Sequence, residues 1–216
     1  MEKKAWGAGC RYSHGMCTIA DLSQMLDELV DESQIVKRRV TVSFNPLEYE
    51  YHEYFSIPCA FDIETSSFMV GEEKQACMYI WMLGINGGVI YGRTWDEYEE
   101  ALNIIHNKLK LGDKRHIIIY VHNLAYEFQF IRCRDEWENV FALDTRKPVY
   151  ALNKRGIEYR CSLILTGRSL ANWGESLIKY PVKKMVGDLD YSKIRHSDTP
   201  LTDTELGYCE NDVRVV

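Results

Sequence analysis

Nothing in the chain reads as a membrane anchor or a secretion leader. The longest apolar runs, Cys77 to Ile85 and Ile117 to Val121, fall far short of the ~20 residues that cross a bilayer, and no basic-then-apolar stretch opens the sequence. The seven cysteines are odd in number and scattered without framework spacing, which argues against a disulfide scaffold. A reducing compartment, the cytoplasm, is the expected location, and no membrane partner is expected. Positive charge is not in excess either: 26 basic residues face 32 acidic ones, for a net charge of -6. No global basic field announces a polyanionic partner. That exclusion is weak, because a site built of acids subtracts from net charge while local basic patches can still grip phosphate. Internal repeats and low-complexity segments are also missing. What remains is 216 residues, 46% hydrophobic and 27% charged, enough for one domain with a sizeable core and a small appendage.

The N-terminal stretch, residues 1 to 17, is Gly-rich and irregular. Its Cys10, His14 and Cys17 form a C-x3-H-x2-C cluster that invites zinc, but a structural zinc site needs a fourth ligand and none follows nearby. Thr18 caps an amphipathic helix with the stripe Leu22, Met25, Leu26, Leu29 and Val30. Arg39 to Phe44 alternates as a strand, and Tyr49 to Tyr54 has no period and reads as a connector. Residues 1–53 thus form an N-terminal appendage and 54–216 the main domain. Within the latter, a polar loop is expected after Thr65, then a buried strand over Ala76 to Ile85 and a hairpin turn at Asn86-Gly87-Gly88. A helix capped by Thr94 runs to about Lys110, and His116 to Val121 is an intensely apolar strand. A further helix starts near Glu127 and runs toward Trp137; two or three strands span Val140 to Leu165, and Ser169 to Ile178 is a short helix. Thr202-Asp203-Thr204-Glu205 is a capping box, the clearest helix start in the chain. Strands, then helix, then strand describe an α/β domain with a mixed sheet.

Three weak signals occur in order. Asp62 and Glu64, in Phe61-Asp62-Ile63-Glu64-Thr65, must project from one face of a strand, and an oxygen-seeking divalent cation relieves their repulsion. An exposed strand face with two acids is the plain alternative. Next, the apolar strand ends in His122-Asn123-Leu124-Ala125-Tyr126-Glu127, where sheet and loop meet and functional residues collect. Glu127 alone reads as a first-turn acid complementing the helix dipole. Finally, Tyr208 and Asp212 lie four apart on the capped terminal helix, sharing a face.

Together these stretches resemble the three-motif pattern of the DEDD 3′–5′ exonucleases, in the subtype with Tyr in the last motif. Tyr120 to Phe128, Ser169-Leu170, Tyr180 to Lys184, Gly187 to Tyr191 and Tyr208 to Asp212 are similar to the proofreading domain of family B DNA polymerases, most of all the protein-primed enzymes of phages and mobile elements. The resemblance covers about Ile57 to Val216. It implies a ribonuclease H-like fold, a central mixed sheet flanked by helices. It further implies two divalent ions, Mg2+ or Mn2+, held by Asp62, Glu64, Glu127 and Asp212, with Tyr208 orienting the attacking water. Thr65, Asn123, Tyr126, Ser169 and Leu170 match positions that handle the 3′ end of single-stranded DNA, and Lys183 and Lys184 would meet backbone phosphate. Two departures stand out. Glu127 replaces the family's usual Asp, extending that carboxylate by roughly 1.5 Å; it either displaces a water or weakens activity. Val186 stands where the family often has lysine, so Lys183 or Lys184 substitutes or that contact is absent. Because the chain stops one turn past Asp212 and carries no polymerase motif, the resemblance implies a parent that continues into a polymerase module and works with a priming protein. A free-standing RNA exonuclease, or a weakened domain that binds single strands or a priming protein, stays open.

Overall fold

The computed structural model describes residues 15–178, 182–185 and 189–216. The chain order is α1 (Ile19–Leu29), β1 (Ile35–Phe44), β2 (Leu47–Phe55), β3 (Cys59–Val70), β4 (Glu73–Ile85), β5 (Gly88–Gly92), α2 (Trp95–Leu109), β6 (Arg115–Val121), α3 (Leu124–Ile131), β7 (Trp137–Ala142), β8 (Pro148–Asn153), β9 (Ile157–Cys161), α4 (Ser162–Thr166), α5 (Leu170–Ser176) and α6 (Asp203–Val215). The strands form one mixed sheet in the order β5-β4-β3-β6-β9-β8-β7. Its centre, β3-β6-β9, is parallel, and antiparallel strands flank it on both sides.

One edge of β6 is shared by two strands in succession. β2 pairs with its first half, from Glu53↔Arg115 to Phe55↔Ile117, and β3 with its last residues, Ala60↔Tyr120 and Phe61↔Val121. β3 therefore continues past the end of β6, carrying Asp62 and Glu64 beyond it. Alternation sends Phe61 and Ile63 into the main core with Trp81, Leu83, Ile117 and Ile119, where α1 and α2 also pack. The opposite face carries Ala60, Ile80 and Met82, covered by Leu206, Cys209 and Val213 of α6. A one-residue slip of β3 would drive both acids into the apolar core, so burial of Phe61 and Ile63 fixes the register that exposes the acids to α6. Two glycines permit the helices to lie close. A Cβ on Gly84 would meet Val213 Cγ1 at 2.8 Å, and one on Gly88 would meet Met25 Sδ at 2.5 Å.

Several expectations are corrected. Residues 49–54 are not a connector but most of β2, which pairs with β1 over its whole length. No polar loop follows Thr65: β3 continues to Val70, pairing with β4 after a bulge at Glu64/Thr65. α3 ends at Ile131, short of Trp137, which opens β7, and Ser162–Thr166 is helical rather than extended. α1 buries Leu22, Met25 and Leu26 in the main core, so of the described residues before 54 it is the β1–β2 ribbon that stands off that core. Cys17 is disulfide-bonded, which the reading of a reducing compartment did not include, and so is no thiolate ligand; Cys59, Cys77, Cys133, Cys161 and Cys209 are free. Cys10 and His14 lie outside the described residues, as do Tyr180, Pro181 and Val186 to Asp188.

Candidate active site

Asp62 lies where β6 gives way to the His122-Asn123 turn and α3, because the last β3–β6 pairing is Phe61 with Val121. The capping box starts α6 on the same side: Glu205 N donates to Thr202 Oγ1 at 3.3 Å, and Thr202 N to Glu205 Oε2 at 2.8 Å. Cys209 and Val213, one turn apart, seat this helix on the sheet, and their neighbours Tyr208 and Asp212 follow toward the acids of β3. The result is a cluster in which carboxylate oxygens of Asp62, Glu64 and Asp212 all lie within 4.8 Å of one another. Glu127, in the first turn of α3, is 4% exposed. Burial, and then the charge of Asp62, hold its carboxyl well above the usual range, which ties it electrostatically to the cluster.

The crowding is plain in the other three acids. Burial and the charge of Asp212 push Asp62 up to about 7. Burial, then Asp62 and Asp212, push Glu64 up to about 8. Asp212 is raised by burial, with the Lys184 ammonium pulling it back. Glu127 Oε2 and Asp212 Oδ1 are buried without a hydrogen-bond partner. Buried acceptors left unpaired are costly. Oxygen-only donors with unpaired, charge-crowded oxygens are what a hard divalent cation such as Mg2+ or Mn2+ requires. The residues fit such an ion, with Asp62, Glu64 and Asp212 as the clustered ligands and Glu127 adjoining.

Comparison with known proteins adds the fold. No protein-family model and no curated protein matches the chain. Among solved structures, the chain is similar to phi29 DNA polymerase complexed with single-stranded DNA, with a TM-score of 0.55 at 17% identity, covering 74% of this chain and 30% of that one. The chain thus spans under a third of that polymerase's length. The fold is ribonuclease H-like, a central mixed sheet flanked by helices. Open α/β sheets bind ligands where their parallel strands stop, and the Asp62 cluster lies at that end of the sheet here.

Around the acids of this ribonuclease H-like sheet, the Tyr208 hydroxyl lies 3.0 Å from that of Tyr191. Burial, that bond and Asp212 push its phenol upward, so it stays neutral. Lys184 Nζ lies 3.0 Å from Asp212 Oδ2 and 5.8 Å from the Tyr208 ring centroid. Lys184 is therefore drawn to the carboxylates, whereas the Lys183 side chain is exposed. Asn211 sets this segment beside α6: it accepts from Met185 N at 2.8 Å and donates to Lys183 O at 3.0 Å. Thr65 Oγ1 and the Tyr126 hydroxyl are 2.5 Å apart, joining β3 to α3, and the Tyr126 ring is 41% exposed. Asn123 is exposed and caps α3 with a left-handed φ of 70°. Ser169 caps α5 through Asn172 N, and Leu170 is half-buried on that helix, which packs on α6 where Gly174 meets Val215.

Tyr191 belongs to one of the segments that carried the resemblance, although only Tyr208 was singled out from sequence. Lys184 was expected at phosphate rather than at Asp212. Arg195 had no sequence signal at all. It is 3% exposed; its N–H donates to Ser66 Oγ at 2.7 Å and its guanidinium to Glu205 and to Asp190 O, tying β3 to the start of α6.

Proposed function

We propose that the chain is the 3′–5′ exonuclease domain of a family B DNA polymerase of the protein-primed type, hydrolysing 3′-terminal nucleotides of single-stranded DNA. The observation that carries this reading is the convergence of Asp62, Glu64 and Asp212 within 4.8 Å, with Glu127 buried alongside. Three distant stretches supply these acids, in the order the three-motif pattern requires. The nuclease unit is 54–216, and the parent protein includes a polymerase module that acts with a priming protein. The likeness to a polymerase solved with single-stranded DNA supports the substrate class.

In this mechanism Asp62, Glu64 and Asp212, with Glu127 beside them, would hold the divalent ions, which would supply stabilisation of charge on the attacking and leaving oxygens. Tyr208, kept neutral, has a hydroxyl proton to donate and orients the water that attacks the terminal phosphodiester. Lys184, whose ammonium lies beside Asp212, is the cation placed to meet a substrate phosphate at the cluster. The Tyr126 ring, steadied by Thr65, offers a face to the terminal base, and Asn123 both donates and accepts beside it. Ser169 and Leu170, at the start of α5, are assigned with them to the 3′-terminal nucleotides.

The test is digestion of a labelled 3′ overhang, in matched DNA and RNA forms, titrated with Mg2+ and Mn2+. Mononucleotides released from DNA, and none in EDTA, are expected. Preference for RNA would make this a free-standing RNA exonuclease. Retained DNA binding without trimming, at any metal concentration, would leave only a binding module and defeat the catalytic reading.

A further inference from the structure

The β1–β2 ribbon is the part of the molecule the nuclease reading does not use. Among the described residues β1 pairs only with β2, so one backbone edge of β1 is open along Ile35–Phe44. The ribbon also exposes large apolar and aromatic side chains: Val42 at 52%, Phe44 at 85%, Leu47 at 65% and Tyr51 at 64%. A two-stranded ribbon is marginal in water by itself, and grouped apolar exposure of this kind marks a surface made for contact.

Charge decides what it contacts. β1 carries three consecutive cations, Lys37, Arg38 and Arg39. Arg38 lies over the Tyr54 ring at 5.0 Å and Arg39 over the Tyr49 ring at 4.4 Å, and none of the three forms an ion pair with a described carboxylate. Two of the three acids of β2 turn the other way, toward the start of β6: Glu50 pairs with Lys114 at 2.5 Å and Glu53 with Arg115 at 2.8 Å. The open edge is therefore the cationic edge. A second copy of the chain is disfavoured there, since antiparallel β1–β1 pairing would set cations against cations. A nucleic-acid backbone is disfavoured because the open edge of β1 presents main-chain N–H and C=O groups in alternation, which a peptide backbone completes and an acceptor-only phosphate chain does not.

We propose that β1 is a docking edge for an extended acidic segment of a partner protein, which adds to the ribbon as a further strand. Main-chain hydrogen bonds supply the pairing and the three cations supply the selectivity. Charged residues on an edge strand ordinarily keep other strands away. Here the same three cations repel a like strand and admit an acidic one.

The experiment uses the full chain and a fluorescent peptide of alternating Glu and Val, about as long as β1, read by anisotropy. Companion probes are the Lys-Val peptide, the Glu-Val peptide N-methylated on alternate amides, and labelled single-stranded DNA. Saturable binding of the Glu-Val peptide is expected, with no binding of the Lys-Val form and loss of binding on N-methylation. Charge reversal at Lys37, Arg38 and Arg39 together should weaken the Glu-Val peptide on the order of tenfold or more, while trimming of a 3′ overhang by the same variant stays at the parent rate. Failure of the Glu-Val peptide to bind would overturn the proposal. So would equal binding of the N-methylated form, which would reduce the effect to charge attraction. DNA binding that charge reversal abolishes would instead make the ribbon a nucleic-acid grip.

Discussion

Lys184 holds its Nζ 3.0 Å from Asp212 Oδ2, while the other oxygen of that carboxylate is buried with no partner. Replacing Lys184 with Gln leaves a buried acid without its cation. In metal-free protein at neutral pH this should cost about 1–3 kcal/mol in urea unfolding, and most of the loss should vanish when Mn2+ is added. A loss that persists undiminished in Mn2+ would mean that Lys184 holds the fold for another reason. The acids of β3 behave in the opposite way. Asp62→Ala with Glu64→Ala removes two of the clustered ligands, so nuclease activity should fall by more than about 100-fold, beyond what losing an outer-shell partner costs. Because it also relieves repulsion between buried carboxylates, the metal-free double variant should unfold at least as late as the parent. A variant that still trims DNA at the parent rate would place the chemistry elsewhere.

α6 delivers both Tyr208 and Asp212, and its start depends on one side chain used twice. Glu205 Oε2 closes the capping box with Thr202, and Glu205 Oε1 accepts from Arg195 Nε at 3.1 Å and Nη2 at 2.5 Å. Glu205→Ala removes the box and strands a buried guanidinium, which should cost about 3 kcal/mol or more. Glu205→Gln keeps an N3 amide for the box and one bond for Arg195, so its cost in denaturant midpoints should be clearly smaller. That start was legible in the sequence, as were the Asn86-Gly87 turn and the helix after Thr94, because each is set by residues a few positions apart. β2 was not legible: lying in a ribbon with little burial on either face until Tyr54, it has no apolar side to produce alternation. The far end of the β3–β4 hairpin was missed for the same reason, since Met69 and Val70 are exposed and pairing alone extends it. Within the cluster, Asp62 and Glu64 share a strand face and Tyr208 and Asp212 a helix face, spacings that a sequence does show. The Lys184–Asp212 contact spans 28 positions and Arg195–Ser66 spans 129, and no local spacing encodes either.

At the scale of the whole molecule, the carboxylate cluster makes folding stability depend on pH and on metal together. In the folded chain Asp62 is pushed up to about 7 and Glu64 up to about 8. In the unfolded chain they return to about 3.9 and 4.3. For an acid raised on folding, the stabilising share is complete below the unfolded value and is lost as pH rises through the folded one. Metal-free protein should therefore lose stability steadily between about pH 4 and pH 8, seen as a falling Tm. This runs opposite to the usual acid, whose salt-bridged carboxylates favour the higher pH. A divalent ion that binds only the folded, ionised cluster reverses the trend, adding about 2.7 kcal/mol at a concentration a hundred times its Kd. Calorimetric scans at pH 5 and pH 8, with EDTA and with Mn2+, should give four melting points in which Mn2+ raises Tm far more at pH 8 than at pH 5. In Asp62→Asn with Glu64→Gln, both the pH slope and the Mn2+ response should shrink together, because the same oxygens carry both. If the Mn2+ response survived in that variant while the pH slope vanished, the ions would be held away from these acids, and the cluster would be a buried charge without the role assigned to it.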